Sequence, residues 1–217
     1  MNKCLRSSGY WLLSKQPSLW SLFWRYRHFI TGKDFAINTE LPSRKYLLDI
    51  VSKNEFKTLL EIGCGSASNL IVLAQKFPDR MFYGIDINAQ AIECGQAETD
   101  RLGIKNILLL NIDMIKFFDI GYKFDVILSA AVLMYIAPNK IKAVLNKLHS
   151  MGKVLVLMEF NSNSGEKSIL HEGSWLHDYR ELLPNCAMIR FEQHHWKSEK
   201  WLEFGRIIIN EKRTHNS

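Results

Sequence analysis

Thr58-Leu59-Leu60-Glu61-Ile62-Gly63-Cys64-Gly65 is the stretch on which the fold of this chain turns. A short apolar run with an embedded acid leads into two glycines spaced by one residue. Leu70, Leu73, Ala74 and Phe77 follow at i, i+3, i+4 and i+7, the spacing of one helix face. The order is therefore strand, tight turn, helix. Glycine lets such a turn take φ > 0 and approach a ligand without a Cβ in the way. The helix start beyond it offers unpaired N–H donors. A small polar ligand of nucleoside type is expected over the turn.

Outward from the turn, strand and helix alternate. Met81 to Asp86 reads as a strand ending in an acid, and Asn88 is placed to cap a helix that stops at Gly103. Ile107 to Leu110 and Phe124 to Leu128 are further strands, and Val154 to Met158 is a continuous apolar run of the kind buried on both faces. Leu41-Pro42-Ser43 starts an earlier helix carrying Tyr46, Leu47, Ile50 and Val51 on one face. After Phe160 a polar loop is expected, then a helix across Trp175 to Leu183. Two strand-like segments follow, about 187–195 and 201–210. The pattern predicts an α/β fold: a doubly wound, mostly parallel seven-stranded sheet with a C-terminal antiparallel hairpin strand. Ligands in such sheets bind beyond the carboxyl ends of the strands. Glu61, Asp86, Asp113 and Ser129 stand at those ends. Asp86 lies 23 residues past Gly63, and its acceptor-only carboxylate suits the two donors of a ribose diol. Three acids around one crevice favour a cationic ligand.

The charge is unevenly placed. Six of the 28 Lys/Arg and none of the 22 Asp/Glu fall in residues 1–33, so the rest of the chain is formally neutral. A nucleic-acid tracker would more often spread its positive charge over the body. Residues 5–31 also carry Tyr10, Trp11, Trp20, Phe23, Trp24, Tyr26 and Phe29. From Pro17, the positions Leu19, Leu22, Phe23, Tyr26 and Ile30 share a helical face, widened by Trp20 and Trp24. Three readings stand side by side: a helix packed on the body, a lid over a substrate pocket, or a membrane-surface helix through 5–31. The division expected is a basic aromatic appendage, 1–40, before a catalytic domain, 41–217. Cys4, Cys64, Cys94 and Cys186 have neither metal-ligand nor CxxC spacing, so no metal site is expected and a reducing, cytoplasmic location is. No apolar run is long enough to span a membrane.

These motifs together resemble the class I (Rossmann-like) S-adenosylmethionine-dependent methyltransferases. Glu61-Ile62-Gly63-Cys64-Gly65-Ser66-Ala67 is similar to that family's first motif, acid-x-Gly-x-Gly-x-Gly, with Ala67 in place of the third glycine. Phe82 to Asn88, Asn111 to Met114 and Phe124 to Leu128 resemble its later segments. The resemblance covers residues 57–160 well and 187–211 loosely. It implies S-adenosylmethionine as cofactor. Gly63 and Gly65 would face its methionine part, and Glu61 would support the loop and the amino group. Asp86 would hold the ribose, Ile87 would pack on adenine, and Asp113 with the Met114 backbone would read the adenine edge. A nicotinamide enzyme fits less well: Ser68 occupies its last glycine position, and there is no Tyr-x-x-x-Lys.

The acceptor is expected to be a small molecule, most directly a biosynthetic metabolite methylated on oxygen. N-methylation of a small molecule or protein side chain, and a non-catalytic cofactor-binding module, are the alternatives. Ser129-Ala130-Ala131-Val132 stands where an amine-directed DNA methyltransferase would carry Asn/Asp-Pro-Pro-aromatic, and there is no Pro-Cys nucleophile, so nucleic acid is not the expected partner. His177, His171 and Tyr135 are the candidate catalytic residues, the histidines because imidazole titrates near neutrality. His194 and His195 are neighbours in a strand and point to opposite faces, so at most one faces a pocket.

Overall fold

The computed structural model describes residues 17–26, 37, 39–40, 42–162, 168–171, 174–190 and 205–211. Two helices, α1 (Pro17–Arg25) and α2 (Pro42–Val51), precede the alternating body. The body runs β1 (Thr58–Ile62), α3 (Ser68–Lys76), β2 (Met81–Asp86), α4 (Ala89–Arg101), β3 (Ile107–Asn111), α5 (Met114–Phe118) and β4 (Phe124–Ala130). A 3-10 turn (Leu133–Tyr135), α6 (Pro138–Met151) and β5 (Gly152–Phe160) follow. The chain then forms β6 (Ser168–His171), β7 (Ser174–His177), α7 (Tyr179–Leu182), β8 (Ala187–Arg190) and β9 (Gly205–Glu211).

Seven strands form one sheet in the order β3-β2-β1-β4-β5-β9-β8. The first five are parallel, and β9 and β8 close the sheet antiparallel, as the sequence pattern predicts. The alternation of side chains splits the core in two. Leu59, Phe82, Val126, Val156 and Ile207 face α2 and α3 on one side of the sheet. Leu60, Ile85, Ile127, Leu155 and Ile208 face α6 and the phenylalanines of α5 on the other. Helices on both faces make the sheet doubly wound. Asp125 binds three strand starts together: its Oδ2 accepts from the N–H of Lys57 at 2.7 Å and of Thr58 at 3.1 Å, and its Oδ1 pairs with Lys153 at 2.7 Å.

Two expectations are corrected. The helix across Trp175 to Leu183 is instead strand β7 and a four-residue helix, α7, capped by Asp178. β6 and β7 form a separate two-stranded hairpin, with β7 tied to the end of β5 by Ser162 N–H donating to the His177 carbonyl at 2.9 Å. On α1, Leu22 and Tyr26 are exposed, while Phe23 is buried and Trp24 half-buried, so the inward face is rotated from the one the periodicity suggested. The turn expected at Lys197 to Lys200, and His194 and His195, lie outside the described residues. Among the described residues no helix is long and apolar enough to cross a membrane.

Candidate cofactor and acceptor site

The site grows from the turn after β1. Gly63 and Gly65 sit at φ +62 and +55, and Ala67, which precedes α3, sits at φ +62. The two glycines serve different ends. A Cβ at Gly63 would meet Val132 Cγ2 at 2.3 Å, so this glycine lets β1 abut the turn after β4; at Gly65 nothing lies within 4 Å. Ala67 adopts the left-handed conformation for which glycine is ordinarily used, which accounts for the glycine common at this position in the resembling motif. Ala131, after β4, is also left-handed, at φ +57.

Asp86 binds this turn to β2. Its Oδ2 accepts from Gly65 N–H and its Oδ1 from Asn88 N–H, both at 2.8 Å. Burial raises its carboxyl above the usual range, against the backbone donors of Asn88, Gly65 and Ile87 that favour the anion. Each oxygen keeps further acceptor capacity toward a ligand. Asn88 caps α4 through Ala91 N–H at 3.1 Å, and its Nδ2 donates to the Trp24 carbonyl of α1 at 2.7 Å. Asp113 caps α5, accepting from Ile115 N–H at 2.9 Å.

These groups surround a cavity of about 300 Å³ at the carboxyl ends of β1, β2, β3 and β4. Gly63, Gly65 and Asp86 form its floor. Ile87, Ile112 and Met114 form an apolar wall beside Asp113, and Ala131, Val132 and Ile136 form the facing wall. The α1 helix borders it: Trp24 lines the cavity, and its ring centroid lies 4.8 Å from that of Tyr135. The apolar walls suit an aromatic base, and the paired carboxylate acceptors suit a diol, so the residues present fit a nucleoside cofactor.

Of the predicted cofactor residues, Gly63, Gly65, Asp86, Ile87, Asp113 and Met114 line the cavity. Glu61 stands behind the turn, 2% exposed. Its Oε1 accepts from Asn69 Nδ2 at 2.7 Å, and its Oε2 is buried with no hydrogen-bond partner. Burial pushes its carboxyl up to about 8, against the Asn69 hydrogen bond and the Arg44 charge. At neutral pH Glu61 is therefore mostly uncharged and does not supply the negative potential expected of it.

The catalytic candidates separate. Tyr135 lines the cavity. His171 ends β6, and its side chain lies outside the described residues. His177 is corrected as a general base: it is fully buried and absent from the cavity lining, with Nε2 3.2 Å from the Leu133 carbonyl. Burial brings its ring down to about 4, only partly offset by the carbonyls of Leu133 and Ile136, so it stays neutral and supports the 3-10 turn that carries Tyr135.

Glu159 was not anticipated. It is a fully buried acid within the apolar run of β5. Its Oε1 accepts from Ser129 Oγ at 2.6 Å and from Val132 and Leu133 N–H at 3.0 and 3.1 Å. It shapes the left-handed turn on which Val132 and Tyr135 sit. The signal available was a lone acid in Val154 to Phe160, where every neighbour is apolar.

The fold and cavity define a class: a nucleoside-cofactor site over the Gly-x-Gly turn of a 3-2-1-4-5 sheet closed by two antiparallel strands. Residues 53–206 match the family profile described as "Methyltransferase domain". The chain belongs to this methyltransferase-domain family, whose cofactor is S-adenosylmethionine. An uncharacterised protein of Rickettsia prowazekii (strain Madrid E) is 32% identical over 148 residues, covering 63% of this chain and 59% of that protein. A tRNA (guanine-N(7)-)-methyltransferase of Bacteroides fragilis (strain YCH46) is 36% identical over 72 residues, 32% of this chain and 29% of that enzyme. The chain thus spans less than two thirds of either relative. Magnesium protoporphyrin IX methyltransferase from Synechocystis PCC 6803, crystallised with bound SAM, shares the fold with a TM-score of 0.64 and 17% identity; the match covers 89% of this chain and 95% of that one.

Proposed function

We propose that this chain transfers the methyl group of S-adenosylmethionine to an oxygen of a small-molecule acceptor. The observation that carries the reading is a pair of rings: Trp24 and Tyr135, with centroids 4.8 Å apart, both line the cavity. An aromatic pair of this kind suits a compact, flat or apolar acceptor. When bound, the cofactor supplies an electrophilic methyl on a sulfonium centre. The chain's own part is to hold and align. Asp86 grips the ribose diol, Ile87 and Met114 pack on adenine, Asp113 with the Met114 backbone reads its edge, and Gly65 leaves room beside the methionine chain. Glu159 fixes the turn that presents Tyr135 to the acceptor, and Tyr135 orients it. Residues 41–217 form the catalytic domain, preceded by the basic aromatic appendage 1–40, whose α1 helix acts as a lid.

Among the described cavity-lining residues there is no histidine. The oxygen reading therefore points first to an acceptor already ionised at neutral pH, a carboxylate or acidic phenol, which needs no base. His171 keeps its candidacy as base for a neutral hydroxyl. The likeness to the tRNA enzyme supports a second reading, an RNA acceptor. Incubation with methyl-labelled cofactor, a fractionated metabolite pool and bulk RNA separates the two. Label in the small-molecule fraction, released as methanol by mild alkali, is the expected result for a methyl ester. Label in RNA, or no turnover in any fraction, overturns the proposal.

A further inference from the structure

A second, smaller cavity of about 140 Å³ lies beside the cofactor cavity and shares Ile87, Ile112 and Asp113 with it. Arg25, Asn111 and Lys116 complete its lining. Two cations from different elements, the last residue of α1 and the middle of α5, thus converge on one polar hollow. Both are exposed, and neither forms an ion pair with a described residue. Asp113 is the one acid in the hollow, and its Oδ1 already accepts from Ile115 N–H at 2.9 Å. Two cations against one acid suit an anionic occupant.

The rim of this hollow is apolar. Leu22 is 53% exposed, Tyr26 46% and Ile115 53%. Leu22 and Tyr26 lie one helical turn apart, with Tyr26 N–H donating to the Leu22 carbonyl at 3.2 Å, and Arg25 stands between them. Ile115 directly precedes Lys116 on α5. Large apolar side chains held in water around cations are the composition of an interfacial surface, where the apolar groups enter the acyl boundary and Lys/Arg meet the headgroups. The charge of the chain points the same way: α1 sits within residues 1–33, which hold six Lys/Arg and no acid, while the remainder is formally neutral.

We propose that the face formed by α1 and α5 docks on an anionic phospholipid surface. A headgroup phosphate sits between Arg25 and Lys116, and Leu22, Tyr26 and Ile115 enter the interface. The side chains favour lipid over RNA. A face for single-stranded RNA alternates its cations with aromatic rings on which bases stack. Here two of the three exposed apolar residues are aliphatic, Leu22 and Ile115, which offer a base no ring and gain by leaving water. Tyr26 suits the headgroup level of a bilayer. Docking in this way turns the rim of the cofactor cavity toward the lipid, because Ser21 and Ile115 line that cavity too.

The test is flotation of the full chain with vesicles of phosphatidylcholine alone or of phosphatidylcholine mixed with phosphatidylglycerol, beside a gel shift with bulk tRNA. The wild type is expected to float with the mixed vesicles, not with the neutral ones, and to be released by raised salt. Arg25→Gln/Lys116→Gln is expected to weaken vesicle binding about tenfold to thirtyfold. Leu22→Asn is expected to weaken it about fivefold to tenfold without changing its salt dependence. Lys76→Gln, at the far end of α3 from the cofactor turn, should leave it unchanged. All are exposed positions, so each variant should keep the wild-type Tm; if the double variant does not fold, Leu22→Asn and Lys76→Gln decide in its place. Failure to float, equal weakening by Lys76→Gln, or flotation undiminished by the α1 and α5 variants overturns the inference. So does a tRNA shift in place of flotation, which would assign the face to RNA. Flotation is read without cofactor, so its failure leaves the S-adenosylmethionine reading intact.

Discussion

At the scale of single residues, two positions separate what was legible from what was not. Gly63 was readable as a turn glycine, because Gly-x-Gly after an apolar run has one common use. That its missing Cβ makes room for Val132 was not readable, since the partner lies 69 residues away. Gly63→Ala combines a left-handed backbone with overpacking and is expected to cost about 2–3 kcal/mol by urea denaturation. The double variant Gly63→Ala/Val132→Ala should recover part of the loss. His177 was readable as a titratable group beyond a strand end, but pattern alone cannot tell a solvated imidazole from a buried one. With its folded pKa at about 4, the unfolded chain takes up the proton first. Its contribution to stability is present above the ordinary imidazole value and is lost as pH falls from about 6.5 toward 4. On the order of 3 kcal/mol rides on this window. His177→Gln should flatten the slope of stability against pH there, as read by denaturation at several pH values. An unchanged slope would mean that His177 is not held neutral.

At the scale of elements, the parallel strands and their helices were legible because each carries its own period and its own stop: the Asn88 cap, Gly103 at φ +69, and the continuous run of β5. The β6–β7 hairpin was not. Ser174 to His177 is four residues with two apolar members, too short for periodicity to choose between strand and helix. Strand pairing chose. The α1 helix was legible as amphipathic but not in its orientation, which the Asn88 to Trp24 bond and the Tyr135 ring set. Trp24→Ala is expected to keep S-adenosylhomocysteine affinity within about threefold and to lower kcat/KM for the acceptor about tenfold or more, since misplacing an acceptor slightly is costly. Equal loss of both would make α1 part of the cofactor site rather than a lid. Asp125 tests the other end of the sheet. Burial works to raise its carboxyl, but Lys153 and the N–H groups of Lys57 and Thr58 prevail and hold it at about 2. Its stabilising effect is present above about pH 4 and is lost as pH falls toward 2. Asp125→Asn should cost on the order of 1–2 kcal/mol at neutral pH.

At the scale of the whole molecule, the fold is one sheet whose carboxyl edge gathers groups from six separate elements into one cavity. Local sequence shows each group and leaves their meeting to topology. That is why the cofactor side was legible and the acceptor side was not. The cofactor residues sit at strand ends whose order follows from the alternation, whereas Trp24, Tyr135 and Glu159 come together only through the packing of α1 and the turn after β4. Glu61 and His177 also pull the pH dependence of the free protein in opposite directions. Glu61 loses stability as pH rises from about 4.5 to about 8, because the unfolded chain's carboxyl ionises first, while His177 loses it as pH falls from about 6.5 toward 4, because the unfolded chain's imidazole protonates first. The most direct measurement of the central claim is equilibrium binding of S-adenosylmethionine to the full chain beside its Asp86→Ala variant. Saturable one-to-one binding, weakened in the variant by about 1.5–3 kcal/mol, is the expected result. Absence of binding, or equal binding by the two proteins, would contradict it.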